Sequence, residues 1–515
     1  MKIVLLSMPD VIPIVIHEMA LHMPNHGIAC IGGNIDAGHE VHLIDLVRKR
    51  GGLVPYLTKI LARIRPDLIG LSAMTWQFPT CLALIRLIKA LLPQVQIVLG
   101  GYHATLMSRE IAASPEGGEI DFIVRGEGEE TFRRLVNALA GTDDLAAIPS
   151  LSYRQADGWI HNEAGGLCDL SQLKLPIRDR RRLTGGYHFM YSPIEVMETS
   201  RGCTRSCNFC SIHHMYGRSY RTYPLSRILA DLDDIYFRKK TRLIFITDDN
   251  MVLNPKWVTA VCDAIIARNY KGLRLIVQAD CVSMAQNEAM VAKMAAAGFR
   301  GVFLGIENAS RRNLAAMEKG DLLQAARQAV ESCHRNGIMV IGGLIFGMPD
   351  DDEAAIRKNY EFLNELSIDA SYCQMLTPYP KTRLRENLLA EGLVTNPDRL
   401  ERYNGLWANV KTRHLSADEL AYAFWYHRQT TLGWWKPSAL AEKQGRLWIS
   451  CWTRMVKPVM KFVLDRRIRR TGWQGRYQGY LRRLEAMNRF AELDPFRGDA
   501  LPSGMSVGAG EEIRT

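Results

Sequence analysis

The sequence has no apolar run long enough to cross a bilayer and no cysteine pattern typical of a disulfide framework. The apolar stretch Ile3–Leu6 ends before Pro9 and Asp10, too early for the hydrophobic region of a signal peptide, so we expect a buried first strand. The eleven cysteines are an odd number, and most stand singly in apolar segments. These features favour a cytoplasmic globular protein with reduced thiols.

A concentration of positive charge around a motif is also missing, although the formal net charge is +11. Much of the excess lies near the C-terminus, in 466–470 and the arginines that follow. This distribution favours a solvated basic face over a nucleic-acid interface. With 515 residues, of which 47% are hydrophobic and 23% charged, the chain is long enough for two large domains and an appendage.

Residues 1–145 alternate short β-branched runs with stretches of helical spacing, which predicts repeated βα units around a parallel sheet. We expect a doubly wound, Rossmann-like domain that binds its ligand at the carboxyl ends of the strands. The five predicted strands are Lys2–Ser7, Val41–Leu46, Leu68–Met74, Gln96–Gly101 and Asp121–Glu127. Residues 146–190 are rich in proline, glycine and basic residues, and we expect a linker with room for a small hairpin.

A second series of βα units occupies residues 191–400. Six successive units predict a partial barrel, because right-handed crossovers of this length curl a parallel sheet around a core. The predicted strands are Ile194–Thr199, Leu243–Asp248, Leu273–Ala279, Gly301–Glu307, Met339–Gly347 and Ala370–Thr377. Residues 401–495 read as a helical region rich in tryptophan and arginine, and 496–515 as a disordered tail.

Three cysteines follow the first strand of this barrel at the spacing C-x3-C-x2-C, namely Cys203, Cys207 and Cys210. Thiolates clustered on one loop suit an iron–sulfur cluster, and three protein ligands leave one iron open for a substrate or cofactor. A zinc site with His213 or His214 is the alternative. It is less favoured, because a structural zinc site uses two separated ligand pairs that close a tetrahedron.

On this motif, its position and the strand count, residues 190–400 resemble the radical S-adenosylmethionine superfamily. The resemblance implies a four-iron four-sulfur cluster whose open iron binds S-adenosylmethionine, with reductive cleavage to a 5′-deoxyadenosyl radical. It also implies that Asp248 and Asp249 bind the methionine amine, that Gln278 and Glu307 contact the ribose or the substrate, and that Gly343 packs against the adenine. An electron donor such as flavodoxin or ferredoxin is implied as a partner.

The N-terminal domain resembles the cobalamin-binding domain that precedes many radical enzymes. The resemblance rests on glycine-containing strand ends, where backbone can approach a flat bulky ligand closely. The cobalamin contacts it implies are Gly100, Gly101, His103, Thr105 and Glu127. The corrinoid signature D-x-H-x-x-G is absent. Its absence leaves the identity of the lower axial ligand of cobalt undecided, but it does not count against the binding of cobalamin itself.

Together the two domains resemble the class B methyltransferases and their relatives, including hopanoid methylases and the anaerobic magnesium-protoporphyrin ester cyclase. The resemblance implies methylation of an unactivated carbon of a small-molecule or lipid-like substrate, while no catalytic side chain is identified. Two alternatives stay open: a cobalamin-dependent cyclase or rearrangement enzyme without net methylation, and a non-catalytic regulator that uses corrinoid and cluster structurally.

The segment Leu447–Lys461 mixes aromatic, apolar and basic residues as an interfacial helix does, so peripheral contact with the inner membrane is a further hypothesis. A helix that lies on the barrel is the more ordinary interpretation of the same pattern.

Overall fold

The computed structural model describes residues 1–11, 13–14, 19–20, 22–49, 51–189, 192–432 and 447–498. Its described part contains two seven-stranded sheets in chain order, followed by helices. This arrangement confirms the predicted succession of a doubly wound domain, a partial barrel and a helical C-terminal region.

The first sheet has the strand order β2-β1-β3-β4-β5-β6-β7, and its first five strands are parallel. Its strands are β1 Lys2–Leu6, β2 Glu40–Ile44, β3 Leu68–Ser72, β4 Gln96–Gly100, β5 Phe122–Val124, β6 Leu151–Gln155 and β7 Gly158–His161. Its helices are α1 His26–Asn34, α2 Leu53–Ile64, α3 Phe78–Leu91, α4 Tyr102–Ala113 and α5 Gly128–Leu139.

Both faces of this sheet are buried, which explains why its strands are near-continuous apolar runs. In β1, Val4 and Leu6 belong to the core on one face, whereas Ile3 and Leu5 belong to the core on the other. The order of strands reverses between β1 and β3, and the carboxyl ends beside this reversal are where doubly wound domains bind ligands.

The predicted linker is largely built into the two domains. Strands β6 and β7 form a hairpin that extends the first sheet in antiparallel fashion beside β5. Further along, Arg181 bridges to Leu43 on the opposite edge of that sheet. The domain boundaries drawn from the sequence stay a prediction, but this segment touches both edges of the first sheet.

The second sheet has the strand order β8 to β14, with six parallel strands in sequence order. Its strands are β8 His188–Phe189, β9 Ser192–Met197, β10 Leu243–Ile246, β11 Arg274–Asp280, β12 Phe299–Glu307, β13 Met339–Phe346 and β14 Ala370–Met375. Within the residues that the structure describes, no pairing joins β14 back to β8 or β9. The sheet is therefore an open half-barrel.

The helices of the half-barrel domain are α6 Ile212–Tyr216, α7 Leu225–Asp233, α8 Pro255–Arg268, α9 Cys281–Gln286, α10 Glu288–Ala297, α11 Arg311–Ala316, α12 Leu323–Arg335, α13 Glu353–Glu365 and α14 Arg383–Ala390. The amino ends of the first three parallel strands carry an apolar group of Ile194, Leu243 and Ile276, against which Met23 and Val47 pack. One end of the lumen is thus filled, and the carboxyl ends remain for chemistry.

The C-terminal region contains α15 Ala417–His427, α16 Leu447–Met487 and a 3₁₀ turn, Ala491–Phe496. Trp473 of α16 packs against Trp425 of α15, which accounts for part of the tryptophan content of this region. Phe496, at the start of the predicted tail, is buried in the first domain, and 499–515 lie outside the described residues.

A search of the described helices finds none that is both long and apolar enough to cross a membrane. The side chains of Leu447–Lys461, the segment with an interfacial pattern, lie outside the described part of α16.

Candidate active site

The three cysteines lie on a loop of residues 202–220 after the first barrel strand. The short antiparallel strands Ser200–Arg201 and Arg221–Thr222 close this loop at its base; we name them the cluster ribbon. Gly202 follows the ribbon at φ +87°, where a Cβ would lie 2.3 Å from the carbonyl oxygen of Ser219. Only glycine meets both conditions without strain, so this residue sets the entry of the loop.

The spacing of the thiols fits a cluster better than a single zinc ion. Cys207 is buried, and Cys203 and Cys210 are half-buried. Two sulfurs bound to one zinc ion at about 2.3 Å are at most about 4.6 Å apart. The sulfurs of Cys203, Cys207 and Cys210 do not all lie within 4.8 Å of one another. Among the described residues, the side chains that do bring three ligand atoms within that distance are His26, Cys30 and Glu198.

Burial raises the pKa of the Cys207 thiol, and burial raises that of Cys210 to about 12. Both groups therefore hold their protons at neutral pH unless a metal replaces them. Because cluster ligands are thiolates, iron binding has to release these protons, and loading of this loop is favoured at higher pH.

Asp248 and Asp249 follow β10 and hold the backbone that leads into the loop. The buried Asp248 carboxylate accepts hydrogen bonds from the Thr199 N–H at 2.6 Å, the Thr199 hydroxyl at 2.5 Å and the Ser200 hydroxyl at 2.6 Å. Asp249 accepts one from the Gly202 N–H at 2.8 Å. Burial raises the pKa of Asp248 to about 7 and that of Asp249 to about 6.

Gln278 and Glu307 lie on neighbouring strands at the same carboxyl edge. Gln278 donates to the backbone carbonyl of Asp248 at 3.3 Å. Glu307, at φ +67°, forms a 2.8 Å ion pair with Lys319. Burial by itself lowers the pKa of the Lys319 ammonium, but the Glu307 carboxylate and the sulfurs of Cys207 and Cys281 together outweigh burial and raise this pKa above its usual value. A fixed positive charge therefore lies near Cys207, whose thiolate it also favours.

Gly343 lies on β13 beside Gly305 of β12. A Cβ on Gly343 would lie 2.6 Å from the ring of Phe303, and that ring meets Tyr372 edge-on at 5.6 Å between centroids. The glycine therefore makes room for an aromatic pair in the lumen. Contact with an adenine ring stays a prediction.

The predicted cobalamin contacts gather at the carboxyl edge of the first sheet. Gly100 ends β4, and Gly101 follows at φ +91° with its Cβ position 2.8 Å from the carbonyl oxygen of Ala73. The Thr105 hydroxyl donates to the Gly101 carbonyl and accepts from the Gly126 N–H, both at 2.9 Å. At Gly126 the position of a Cβ is open space, so no neighbouring atom covers the backbone on that side. Contact of Gly100, Gly101 and Thr105 with cobalamin stays a prediction.

His103 lies on α4 rather than on a loop. Its ring packs against Phe78 at 4.3 Å between centroids, and its Nδ1 lies 3.4 Å from the Thr75 hydroxyl. Burial lowers the pKa of His103 to about 4, so the imidazole is neutral at physiological pH. The structure places it beneath the binding edge, and its contact with cobalamin stays a prediction.

Glu127 follows Gly126 but turns towards the half-barrel. Its carboxylate binds Arg201 and Arg221 of the cluster ribbon. A direct contact of Glu127 with cobalamin also stays a prediction, although the cationic partners of this carboxylate come from the cluster side.

The two predicted cofactor edges lie against each other. Helix α4, which begins directly after Gly101, packs against α6 of the cluster loop. Tyr102, the first residue of α4, is close enough to Tyr216, Asp249 and Cys210 that their charges act on its hydroxyl, and burial together with these charges raises its pKa. Ligands bound at both edges would therefore share one space.

Two residues of this site lack a signal strong enough for the sequence to identify them. Asn250 donates to Asp280 at 3.1 Å and lies 4.0 Å from the sulfur of Cys203. Its position directly after the two aspartates is the signal that was available. Lys319 stands alone after a short helix, and only the fold brings it to Glu307.

Two family models match the chain. The B12 binding domain matches residues 12–136, and the Radical SAM superfamily matches residues 197–363. The pair implies cobalamin, a four-iron four-sulfur cluster and S-adenosylmethionine as cofactors, which confirms the cofactors expected from the sequence.

Curated relatives cover most of the chain. An uncharacterized methyltransferase of Pyrococcus horikoshii is 29% identical over 79% of this chain and 89% of its own length. The hopanoid C-3 methylase of Methylococcus capsulatus is 27% identical over 72% and 70%. The anaerobic magnesium-protoporphyrin IX monomethyl ester cyclase of Rubrivivax gelatinosus is 22% identical over 78% and 72%.

Solved structures share the fold. The radical S-adenosylmethionine methyltransferase TsrM of Kitasatospora setae, with cobalamin and cluster bound, matches with a TM-score of 0.62 and 18% identity over 77% of this chain and 76% of its own. The cobalamin-dependent enzyme OxsB, with aqua-cobalamin and S-adenosylmethionine bound, matches with a TM-score of 0.65 and 18% identity over 94% and 80%. By these two family models and the curated relatives, the chain is an enzyme that combines a B12 binding domain with a Radical SAM domain, which disfavours the alternative of a non-catalytic regulator.

Proposed function

We propose that this enzyme transfers a methyl group to an unactivated carbon of a small-molecule or lipid-like substrate. The observation that carries the proposal is the packing of α4 against α6, which brings the cobalamin-type edge and the cluster loop to one space. When bound there, S-adenosylmethionine on the reduced cluster supplies a 5′-deoxyadenosyl radical, and methylcobalamin supplies the methyl group.

The chain's own residues bind, orient and exclude water. Cys203, Cys207 and Cys210 would hold the cluster. Asp248 and Asp249 hold the backbone before the loop by accepting hydrogen bonds from the N–H groups of Thr199 and Gly202. Their proposed part in binding the methionine amine is therefore to shape the carboxyl edge where that amine would lie. The rings of Phe303 and Tyr372 place aromatic surface beside Gly343.

The side chains proposed to contact the ribose or the substrate, Gln278 and Glu307, both offer hydrogen-bond acceptors. Gln278 is half-exposed, and its amide keeps an acceptor oxygen available beside its bond to Asp248. Glu307 forms an ion pair with Lys319, and its carboxylate has further lone-pair positions that can accept hydrogen bonds from a ligand.

A cyclase without net methylation is the second candidate, because one relative is an anaerobic cyclase. The two functions differ in the mass of the product, since methylation adds one carbon atom and cyclisation adds none.

Two partners go with the proposed reaction. The electron donor, such as flavodoxin or ferredoxin, would approach the cluster loop where Thr204 and Arg205 are exposed.

A peripheral membrane contact is supported by α16, where the exposed Phe462 lies near Arg466 and Arg469. Liposomes of anionic lipid that float without bound protein would refute the membrane contact.

The test of the proposed function is an anaerobic reconstitution with iron, sulfide and hydroxocobalamin, followed by S-adenosylmethionine and a strong reductant. The products 5′-deoxyadenosine and S-adenosylhomocysteine are followed by mass spectrometry. We expect both from the wild type and no deoxyadenosine from Cys207→Ala, whereas Cys262→Ala, a core thiol on α8, keeps deoxyadenosine formation. Deoxyadenosine without S-adenosylhomocysteine favours the cyclase, and a fully loaded protein that forms neither contradicts both functions.

A further inference from the structure

The cluster ribbon is fastened to the first domain by a buried guanidinium. Arg201 stands two residues before Cys203, and only 6% of its side chain is exposed. Its three nitrogens bind three carboxylates: Nε donates to Glu198 at 3.0 Å, Nη1 to Glu127 at 3.0 Å and Nη2 to Glu129 at 2.6 Å. Each of the three guanidinium nitrogens thus binds a different carboxylate.

Two of these carboxylates come from the other domain. Glu127 and Glu129 flank the start of α5, directly after the turn at Gly126 whose N–H binds Thr105. A continuous series of contacts therefore runs from the cobalamin-type edge, through Glu127, to Arg201 and the first cysteine of the cluster loop.

The Glu127 carboxylate has no acceptor position left. Its Oε1 accepts from Arg201 and from Arg221 Nη2 at 2.9 Å, while its Oε2 accepts from Arg221 Nη1 at 3.0 Å and from the Cys168 N–H at 2.8 Å. A carboxylate offers about four lone-pair positions, and all of them are used. Both strands of the cluster ribbon thus meet at one buried carboxylate of the first domain.

Such a network is a positioning device more than a source of stability. Burying several ions costs desolvation energy that their attraction only partly offsets, but charge-assisted bonds to several partners, one of them the bidentate pair of Arg221 with Glu127, fix geometry closely. We propose that Arg201, Glu127 and Glu129 are positioning residues that set the distance between the cluster and cobalamin. The proposal rests on the two cofactors alone, so it holds whether the reaction is methylation or cyclisation.

The experiment measures that distance directly in the holoenzyme. The reduced cluster and cob(II)alamin are both paramagnetic, and their dipolar interaction falls with the cube of the distance between them. We expect Glu129→Gln and Glu127→Gln, which keep shape but remove charge, to retain iron and cobalamin and to change or broaden the dipolar splitting. Arg201→Lys, which keeps the charge but loses the fork, should do the same.

If the enzyme methylates, a second readout is the rate of S-adenosylhomocysteine formation, which we expect to fall about tenfold or more, because misplacement by about 1 Å can cost as much as a hundredfold. The matched control is Glu130→Gln. Glu130 lies next to Glu129 on α5, but it is half-exposed and pairs with Arg133 at 2.6 Å. It should keep the wild-type splitting and rate.

Two outcomes would overturn the proposal. If the glutamine variants bind both cofactors and show the wild-type splitting, the network does not set the distance. If they lose the cofactors or fail to fold, the network is an element of folding rather than of positioning. A dipolar change shared by Glu130→Gln would also count against it, because the effect would not belong to the network.

Discussion

Gly202 is the residue on which the geometry of the cluster loop depends most directly. It combines φ +87° with a Cβ position 2.3 Å from backbone, and backbone cannot move aside as a flexible side chain can. We predict that Gly202→Ala displaces the ribbon from Ser219 and lowers the iron and sulfide bound per chain severalfold after reconstitution.

Gly217 provides the matched control on the same loop. It has φ +59° and ψ −160° but open space at its Cβ position, so Gly217→Ala meets a conformational cost of about 1–3 kcal/mol without the clash. Equal loss of iron in the two variants would show that strain in φ, rather than the contact with Ser219, controls the loop.

The buried imidazole of His103 makes a pH-dependent contribution to stability. Its pKa is about 4 in the folded protein, against about 6.5 in an unfolded chain. Between these values the unfolded chain binds more protons, so stability rises with pH and the full contribution is present above pH 6.5. The difference of about 2.5 units corresponds to about 3 kcal/mol.

We therefore predict that His103→Phe flattens the rise in the free energy of unfolding between about pH 4.5 and pH 6.5. The measurement is urea unfolding at a series of pH values in cobalamin-free protein. An unchanged slope would mean that His103 is protonated in the folded state, contrary to its burial against Phe78.

At the scale of elements, the sequence predicts the buried strands well, because short β-branched runs bounded by glycine favour a strand over a helix or a loop. Strand β12 is predicted from Gly301 and begins at Phe299, and both versions end at Glu307. Strand β13 is predicted as Met339–Gly347 and ends one residue earlier, at Phe346. The short helix α9 is missed, because six residues carry too little periodicity to be seen.

The antiparallel hairpin β6–β7 shows a different limit. Its residues are predicted only as a linker with room for a hairpin, since the apolar run of β6 is short. Its pairing with β5 depends on the shape of the whole sheet edge. Sequence pattern indicates that a strand forms, but not which edge it joins.

The candidate site divides in the same way. The three cysteines were predictable because their spacing is local and chemically specific. The bond of Arg201 to Glu129 joins residues 72 positions apart, and neither residue stands out among the many charges of the chain. Glu127 illustrates the difference: its position after a strand end suggested a ligand contact, while its partners are visible only in the folded structure.

At the scale of the whole molecule, the segment between the domains ties them together. Arg182 donates its N–H to the Leu43 carbonyl on the edge of the first sheet. Arg178, fully buried, bonds Asp231 of α7 at 2.5 Å and donates to the Val196 carbonyl of β9 at 2.8 Å. One short segment thus adds to the edge of one sheet and places a charge inside the other domain.

We predict that Arg178→Ala destabilises the protein by about 3–5 kcal/mol, because it leaves the buried carboxylate of Asp231 without its partner. Urea unfolding followed by circular dichroism measures the loss. Arg180→Ala is the matched control, since Arg180 is exposed on the same segment and should cost less than about 0.5 kcal/mol. If Arg178→Ala costs as little as the Arg180→Ala control, the segment is held by its backbone pairing with β2, and the buried charge does not help to join the two domains.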